Sequence, residues 1–453
     1  MPECVAECGI TCRMGNEMKL KLLFDATILA EGLHKTSNRS GIFWAALGIF
    51  GALDRRDDVE LGIYSSPSFV DSVNKFLARE FPGRGYKVLN REHSCFLGPI
   101  REKIESLRER PKNKRGLRKK ALVLCGMLVK IARILWDKYV GCRRTARIAD
   151  GFDAFFSPVY LAPRPIRRYS RTRRFTLLHD TIPMIYPQFS PFTALGFSWN
   201  FDLIKNLDEN DLCFANSECT KRDFLRFCRG LRAENVTVLP LAADSKFYPE
   251  RDPARLSAVR AKYGIPPGVR YALSLCTIEP RKNFERSLEA FCRAAEAVGD
   301  DKVVFVIAGG KWGRYESKWN AILSRFSGSA DRILPVGYVD DEDLAAIYSG
   351  ATLFLYPSLY EGFGLPPLEA MQCSVPVVTS NTSSLPEVVG DAALLVDPTS
   401  VDEIALAIER LLSDNLLHDA LSLKGLKRAS LFSWNHTAEV VVCRISDVIK
   451  GEF

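Results

Sequence analysis

The sequence predicts an α/β protein built from two Rossmann-like, doubly wound domains that face each other across a cleft. Three observations carry this reading. In the second half of the chain, short apolar or β-branched runs alternate with amphipathic segments. The first half shows the same alternation less cleanly. Between them, "VTVLPLAADSKFYPERDPARL" is rich in Pro and Asp and reads as a linker. Apolar runs separated by helical patterns suit parallel sheets covered on both faces. Ligands of such sheets bind at the carboxyl ends of the strands, so two sheets in tandem point to a cleft shared by two substrates.

Residues 1–17 are expected to form a tail, and residues 18–230 the first domain. Within it "KLKLLFDAT", "VELGIYS", "FDAFFSP", "RRFTLLHD" and "DLCFANS" read as strands, with "GIFWAALGIFGAL" and "SFVDSVNKFLARE" as helices. The second domain, 231–434, alternates strand and helix six times. The pairs are "RYALSLC" with "NFERSLEAFCRAAEAV", "KVVFVIAG" with "ESKWNAILSRF", and "RILPVGYV" with "EDLAAIYSGA". They continue as "TLFLYPS" with "PPLEAMQCS", "PVVTS" with "SSLPEVVG", and "ALLVD" with "VDEIALAIERLLS". Residues 435–453 read as a C-terminal helix that packs back on the N-terminal domain.

The chain has 453 residues, 47% hydrophobic and 26% charged, which suits two ordinary globular domains. No apolar run reaches the ~18 residues needed to span a bilayer. The first residues lack the basic and apolar regions of a secretory signal, which predicts a cytoplasmic protein. Of the 13 cysteines, Cys213, Cys276, Cys292 and Cys443 lie singly in apolar segments, as small buried hydrophobes do. Cys4, Cys8 and Cys12 recur every four residues, but no neighbouring His or fourth Cys completes a tetrahedral metal set.

The net charge of +8 is unevenly spread. Residues 101–147 hold 16 Lys and Arg against 4 Asp and Glu. This stretch joins a cationic run to an apolar segment with Lys130, Arg133 and Lys138 at helical spacing. It reads either as an interfacial element docking on anionic lipid or as a core helix after a solvated loop. The charge is confined to one segment with few interleaved aromatics and no nucleic-acid motif, so no nucleic acid is expected as a partner.

The richest stretch is "LYPSLYEGFGLPPLEAM". A strand is expected to end near Tyr356 and a helix to begin near Pro366, since Pro is favoured at the first helical position. Gly362 and Gly364 let the backbone approach a ligand, and the helix N-terminus beyond them suits a phosphate. Glu361 then lies in the loop and Glu369 in the first helical turn. Two such carboxylates can be the acid and base of a hydrolase, or acceptors that grip a polyhydroxylated ligand.

Glu361 and Glu369 resemble the Glu-x7-Glu motif of retaining glycosyltransferases with the GT-B fold. The following "VPVVTSNTSSLPEVVGDAALLVDP" is similar to glycosyltransferase family 4, and the likeness extends through "LCTIEPRKNFERSLEAF", "VIAGGKWG", "LPVGYVDDEDLAAIYSGA" and "FSWNHTA". In the first half "AFFSPVYLAP", "FTLLHDTIPMIYP" and "FANSECTKRDF" fit more loosely.

The resemblance implies a role for each matching residue. Arg281 and Lys282 clamp the donor diphosphate, Glu361 accepts from hydroxyls of the transferred sugar, and Glu369 accepts from the ribose. The backbone of Gly362, Phe363, Gly364 and Leu365 faces the phosphates, and Gly41 approaches them from the other domain. Val339 lines the base pocket. His179 and Asp180 stand beside the sugar. Glu361, His179, Arg281 and Lys282 form the expected catalytic set. The Asp341-Glu342-Asp343 triplet reads as helix capping and not as a metal site, so no metal or cofactor is expected.

The implied reaction moves a hexose from a nucleoside diphosphate sugar to a hydroxyl of a glycan or lipid-linked acceptor, with retention. The setting would be surface polysaccharide synthesis at the inner face of the membrane. Likeness to bacterial mannosyltransferases makes GDP-mannose the first donor to test, with other GDP-, UDP- and dTDP-sugars open. Two rival chemistries are a nucleotide-sugar epimerase on the same architecture and a glycoside hydrolase using the two glutamates.

Overall fold

The computed structural model describes residues 19–33, 40–90, 142–189, 199–275, 277, 279–309 and 321–451. The expected tail, the basic segment through residue 141, Cys276 and half of "ESKWNAILSRF" lie outside them. Among the described residues, two six-stranded sheets have every neighbouring pair of strands parallel. The first holds β1 (Leu20–Asp25), β2 (Val59–Tyr64), β3 (Ala154–Ser157), β4 (Arg173–Leu178), β5 (Leu212–Ala215) and β6 (Val236–Val238). The second holds β7 (Arg270–Leu275), β8 (Val303–Ala308), β9 (Ile333–Gly337), β10 (Leu353–Tyr356), β11 (Val377–Ser380) and β12 (Ala393–Val396). All residues of β8, β10 and β11 are buried, the pattern of strands covered on both faces.

The order β2-β1-β3-β4-β5-β6 puts a switch point between β1 and β3; the order β12-β11-β10-β7-β8-β9 puts one between β7 and β10. At the second switch point Leu353 and Phe354 pair with Ala272 and Leu273. The chain leaves β7 towards one side and β10 towards the other, so their following loops diverge and leave a crevice. Those two loops carry Arg281, Lys282 and Glu361.

The structure departs from the expected boundaries in the linker. Val236–Val238 is the sixth strand of the first sheet, past the boundary at 230, and Leu239 N extends its ladder to Ala215 O at 2.7 Å. A three-residue edge strand is too short to show a period. The Pro and Asp of "RDPARL" are not breakers either. Asp252 caps the helix Pro253–Lys262, accepting from Ala254 N at 3.0 Å, and Pro253 takes its first position. A further helix that was not expected, Asn415–Ala429, is capped by Asp414. Cys213 and Cys443 are buried; Cys292 is only partly so.

The last helix, Trp434–Lys450, packs on the helix Gly41–Asp54 of the first domain. The contact depends on Gly48, where an added Cβ would lie 2.3 Å from the Trp434 ring. Thr437 Oγ1 donates to Pro240 O at 2.8 Å and Arg444 to Glu234 O at 2.8 Å.

Candidate active site

A cleft of about 550 Å³ lies where strands of the two sheets end. It is lined by Gly41, His179 and Asp180 from the first domain. From the second come Arg281, Lys282, Val339, Glu361, Gly362, Phe363, Gly364, Leu365 and Glu369. Every candidate residue thus reaches one cavity.

Glu361 is its electrostatic centre. Its Oε1 accepts from Lys282 Nζ at 2.5 Å and Tyr356 OH at 2.9 Å, and its Oε2 from Arg281 Nη1 at 2.7 Å. Lys282 also donates to Tyr356 OH, and its ammonium sits 4.7 Å from the centre of that ring. Burial by itself would push the Glu361 carboxyl up; the charges of Arg281 and Lys282 outweigh it and hold the pKa at about 2. Glu361 is therefore ionised at neutral pH, with both oxygens engaged. Asn283, in the left-handed conformation (φ 62°), fixes the Arg-Lys turn by donating to Pro357 O and Pro398 O at 3.0 and 2.6 Å.

Glu369 has the opposite character. The helix begins at Leu365, one residue earlier than expected, because Gly364 (φ 129°) serves as its cap. Glu369 consequently falls in the second turn, away from the end of the dipole. Burial raises its pKa to about 7, opposed by the Tyr348 hydroxyl, which donates to Oε2 at 2.9 Å. Val339 is buried in the hydrophobic core while still lining the cleft.

The acidic triplet does not cap the following helix through its side chains, contrary to expectation. Asp343 occupies the cap position of Leu344–Ser349 but makes no side-chain capping bond. Instead its buried carboxylate accepts from Arg255 and Lys262 at 2.6 Å each and Tyr263 at 2.8 Å, tying Pro253–Lys262 to this turn. Asp341 pairs with Lys246 at 3.3 Å. Among the described residues no three His, Cys, Asp or Glu side chains converge to hold a metal.

His179 is buried, and its Nε2 lies 2.6 Å from Pro158 O. A carbonyl only accepts, so Nε2 carries the hydrogen. Burial lowers the pKa to about 4, and the ring is neutral. Asp180 accepts from Ile182 N and Asn200 Nδ2 at 3.1 and 3.2 Å. Gly41 opens the helix Gly41–Asp54 behind the cap Ser40, with nothing within 4 Å of the Cβ it lacks. Gly362 differs from expectation: its missing Cβ would stand 2.1 Å from His179 O, so the glycine is required by close approach of the two domains. The Phe363 ring packs edge-on against Phe432, 6.1 Å between centroids.

Sequence reasoning missed Tyr356, Asn283 and Lys246. Tyr356 read only as the last residue of an apolar run. Asn283 follows Arg281-Lys282 directly and was the available signal. Lys246, 4.1 Å from the centre of the Trp44 ring, lay in the supposed linker.

Two doubly wound domains closing on a cleft with a bound carboxylate, two cations and a glycine-rich helix start define a GT-B glycosyltransferase. Residues 257–428 match the family described as glycosyl transferases group 1. O-antigen chain mannosyltransferase B of Escherichia coli is 34% identical over 278 residues, covering 61% of this chain and 71% of that protein. The serotype-specific mannosyltransferase WbdA of Escherichia coli is 28% identical over 265 residues, 58% of this chain but only 32% of that longer protein. Among solved structures, Anabaena Alr3699/HepE in complex with UDP-glucose has a TM-score of 0.63 at 18% identity, covering 94% of this chain and all of that one. Sucrose-phosphate synthase of Thermosynechococcus elongatus has a TM-score of 0.64 at 17% identity, over 96% and 100%. The chain belongs to the glycosyl transferases group 1 family.

Proposed function

We propose that this glycosyltransferase moves a hexose, with mannose from GDP-mannose as first candidate, onto a hydroxyl of a glycan or lipid-linked acceptor in surface polysaccharide synthesis. The observation that carries the reading is the Glu361 carboxylate held between Arg281 and Lys282 in the cleft that all the candidate residues line. The mannosyltransferase relatives support the choice of sugar and the polysaccharide setting. The proposed outcome is retention of configuration.

In this mechanism Glu361 accepts hydrogen bonds from the hexose, and Glu369 from the ribose. Arg281 and Lys282 stabilise the charge that develops on the departing diphosphate. Neutral His179 contributes a dipole beside the sugar without adding a charge that would oppose an oxocarbenium-like centre. A hydrolase would need one of the two glutamates as acid and the other as a free base or nucleophile. Glu361, with Lys282, Tyr356 and Arg281 on its oxygens, is not free for that role.

The acceptor side of the proposal includes docking on anionic lipid. The described end of the basic region supports it. The short helices Cys142–Ala149 and Arg164–Tyr169 pack together and present exposed Arg143, Arg147, Arg164 and Arg168, with Arg171 and Arg173 alongside. None of these six has an ion-pair partner among the described residues.

The test incubates the protein with each nucleotide sugar, with and without a lipid-linked glycan, and follows nucleoside diphosphate and product. Acceptor-dependent transfer is expected. Conversion of the donor without acceptor would favour an epimerase, and cleavage of a glycoside without nucleotide a hydrolase. Sedimentation with anionic liposomes should be lost in high salt; no binding at low salt would end the membrane element.

A further inference from the structure

The carbonyl next to Glu361 is held by the opposite domain. The helix Glu218–Phe227 of the first domain starts behind its cap Ser217, whose Oγ accepts from Thr220 N at 3.0 Å. The same hydroxyl donates across the contact between the domains to Gly362 O at 2.7 Å. Thr220 Oγ1 lies 3.1 Å from both Gly362 O and His179 O, so its single proton is shared between the sugar-side residues of the two domains. Asn216 Nδ2 donates to His179 O at 2.9 Å.

The first two N–H groups of that helix would be orphans within it. They donate to a carboxylate of the second domain: Glu218 N to Glu387 Oε2 at 2.7 Å and Cys219 N to Glu387 Oε1 at 2.8 Å. A carboxylate on both donors at the positive end of a helix makes a charge-assisted, geometrically specific contact. On the other flank of Glu361, Tyr360 OH donates to Asp223 Oδ2 at 2.6 Å, again across the domains.

We infer that Ser217, Thr220 and Glu387 are positioning residues that latch the two domains together and set Glu361 in register with His179. The site is then complete only when the latch is closed. Gly362 is the residue at the crossing, with no room for a side chain against His179 O. Donor nucleotide contacts assigned to the second domain, through Arg281, Lys282 and Glu369, do not need the latch. The latch should accordingly affect turnover more than nucleotide binding.

This rests on the transferase reading of the cleft, so the test includes measurements that need no turnover. The variants are Glu387→Gln and the pair Ser217→Ala with Thr220→Val, in the full chain. For Glu387→Gln, kcat should fall by roughly tenfold, the factor carried by one charge-assisted hydrogen bond. Affinity for GDP and UDP, by calorimetry, should stay within about twofold of the parent. The radius of gyration with nucleotide bound, by small-angle X-ray scattering, should increase. Glu387→Asp should recover part of the turnover. Unchanged kcat, or an unchanged radius of gyration, overturns the latch. Equal losses of turnover, nucleotide affinity and thermal stability also overturn it, since they would mean general damage. If the parent itself transfers nothing, the function reading fails while scattering still decides the latch.

Discussion

Replacing Glu369 with Gln should stabilise the ligand-free protein, and more so at higher pH. Its carboxyl has a folded pKa of about 7 against an ordinary 4.5, with burial as the main cause. A raised carboxyl pKa means that the folded state resists ionisation. Stability is then fully present below pH 4.5 and declines as the pH rises through 7. Applying linkage to those two values, ionisation costs about 1 kcal/mol at pH 5 and about 3 kcal/mol at pH 8. Gln keeps the shape, can still accept from Tyr348, and does not titrate. Urea unfolding of parent and Glu369→Gln at pH 5 and pH 8 should show the variant gaining about 2 kcal/mol relative to the parent between the two. The same variant should bind donor more weakly, since an amide oxygen is a poorer acceptor for ribose hydroxyls. A stability difference that does not change with pH would refute the buried-carboxylate argument.

Glu361→Gln should behave in the opposite way. Its depressed pKa contributes stability that is present above pH 4.5 and lost as the pH falls towards 2. The variant should be destabilised at pH 7, where Arg281 and Lys282 lose their counter-ion, and should lose about 10² in kcat; parental turnover would remove Glu361 from the mechanism. Asp343→Asn should cost roughly 2 kcal/mol in urea unfolding without changing nucleotide affinity, because it breaks a buried carboxylate bound to Arg255 and Lys262 away from the sugar. Gly362→Ala should abolish transfer, since its Cβ would meet His179 O at 2.1 Å, while circular dichroism remains parental; wild-type kcat would show that the crossing can open at no cost.

The fold was legible where chemistry repeats. Runs such as Val303–Ala308 are apolar throughout because both faces of the strand are covered, and that pattern needs no knowledge of neighbours. Val236–Val238 was not legible, since three residues show no period and pairing with β5 is a long-range event. Pro253 and Asp252 misled for a related reason. The same residues that break a helix interior cap its start, and composition alone does not say which side of the boundary they occupy. In the site, the spacing Glu361 to Glu369 placed both carboxylates in one cleft, but their contrasting ionisation was hidden. It arises from Arg281 and Lys282, about eighty residues away in sequence, which hold Glu361 ionised, and from the burial that pushes Glu369 up. Gly362 is the sharpest case. Read locally, a glycine before a helix suggests room for a ligand. In the folded chain the same absence of Cβ is filled by a carbonyl from the other domain, so the residue serves assembly of the site. A motif read within one domain reports what its backbone permits; which neighbour uses that permission is decided by the crossing of His179 and Gly362.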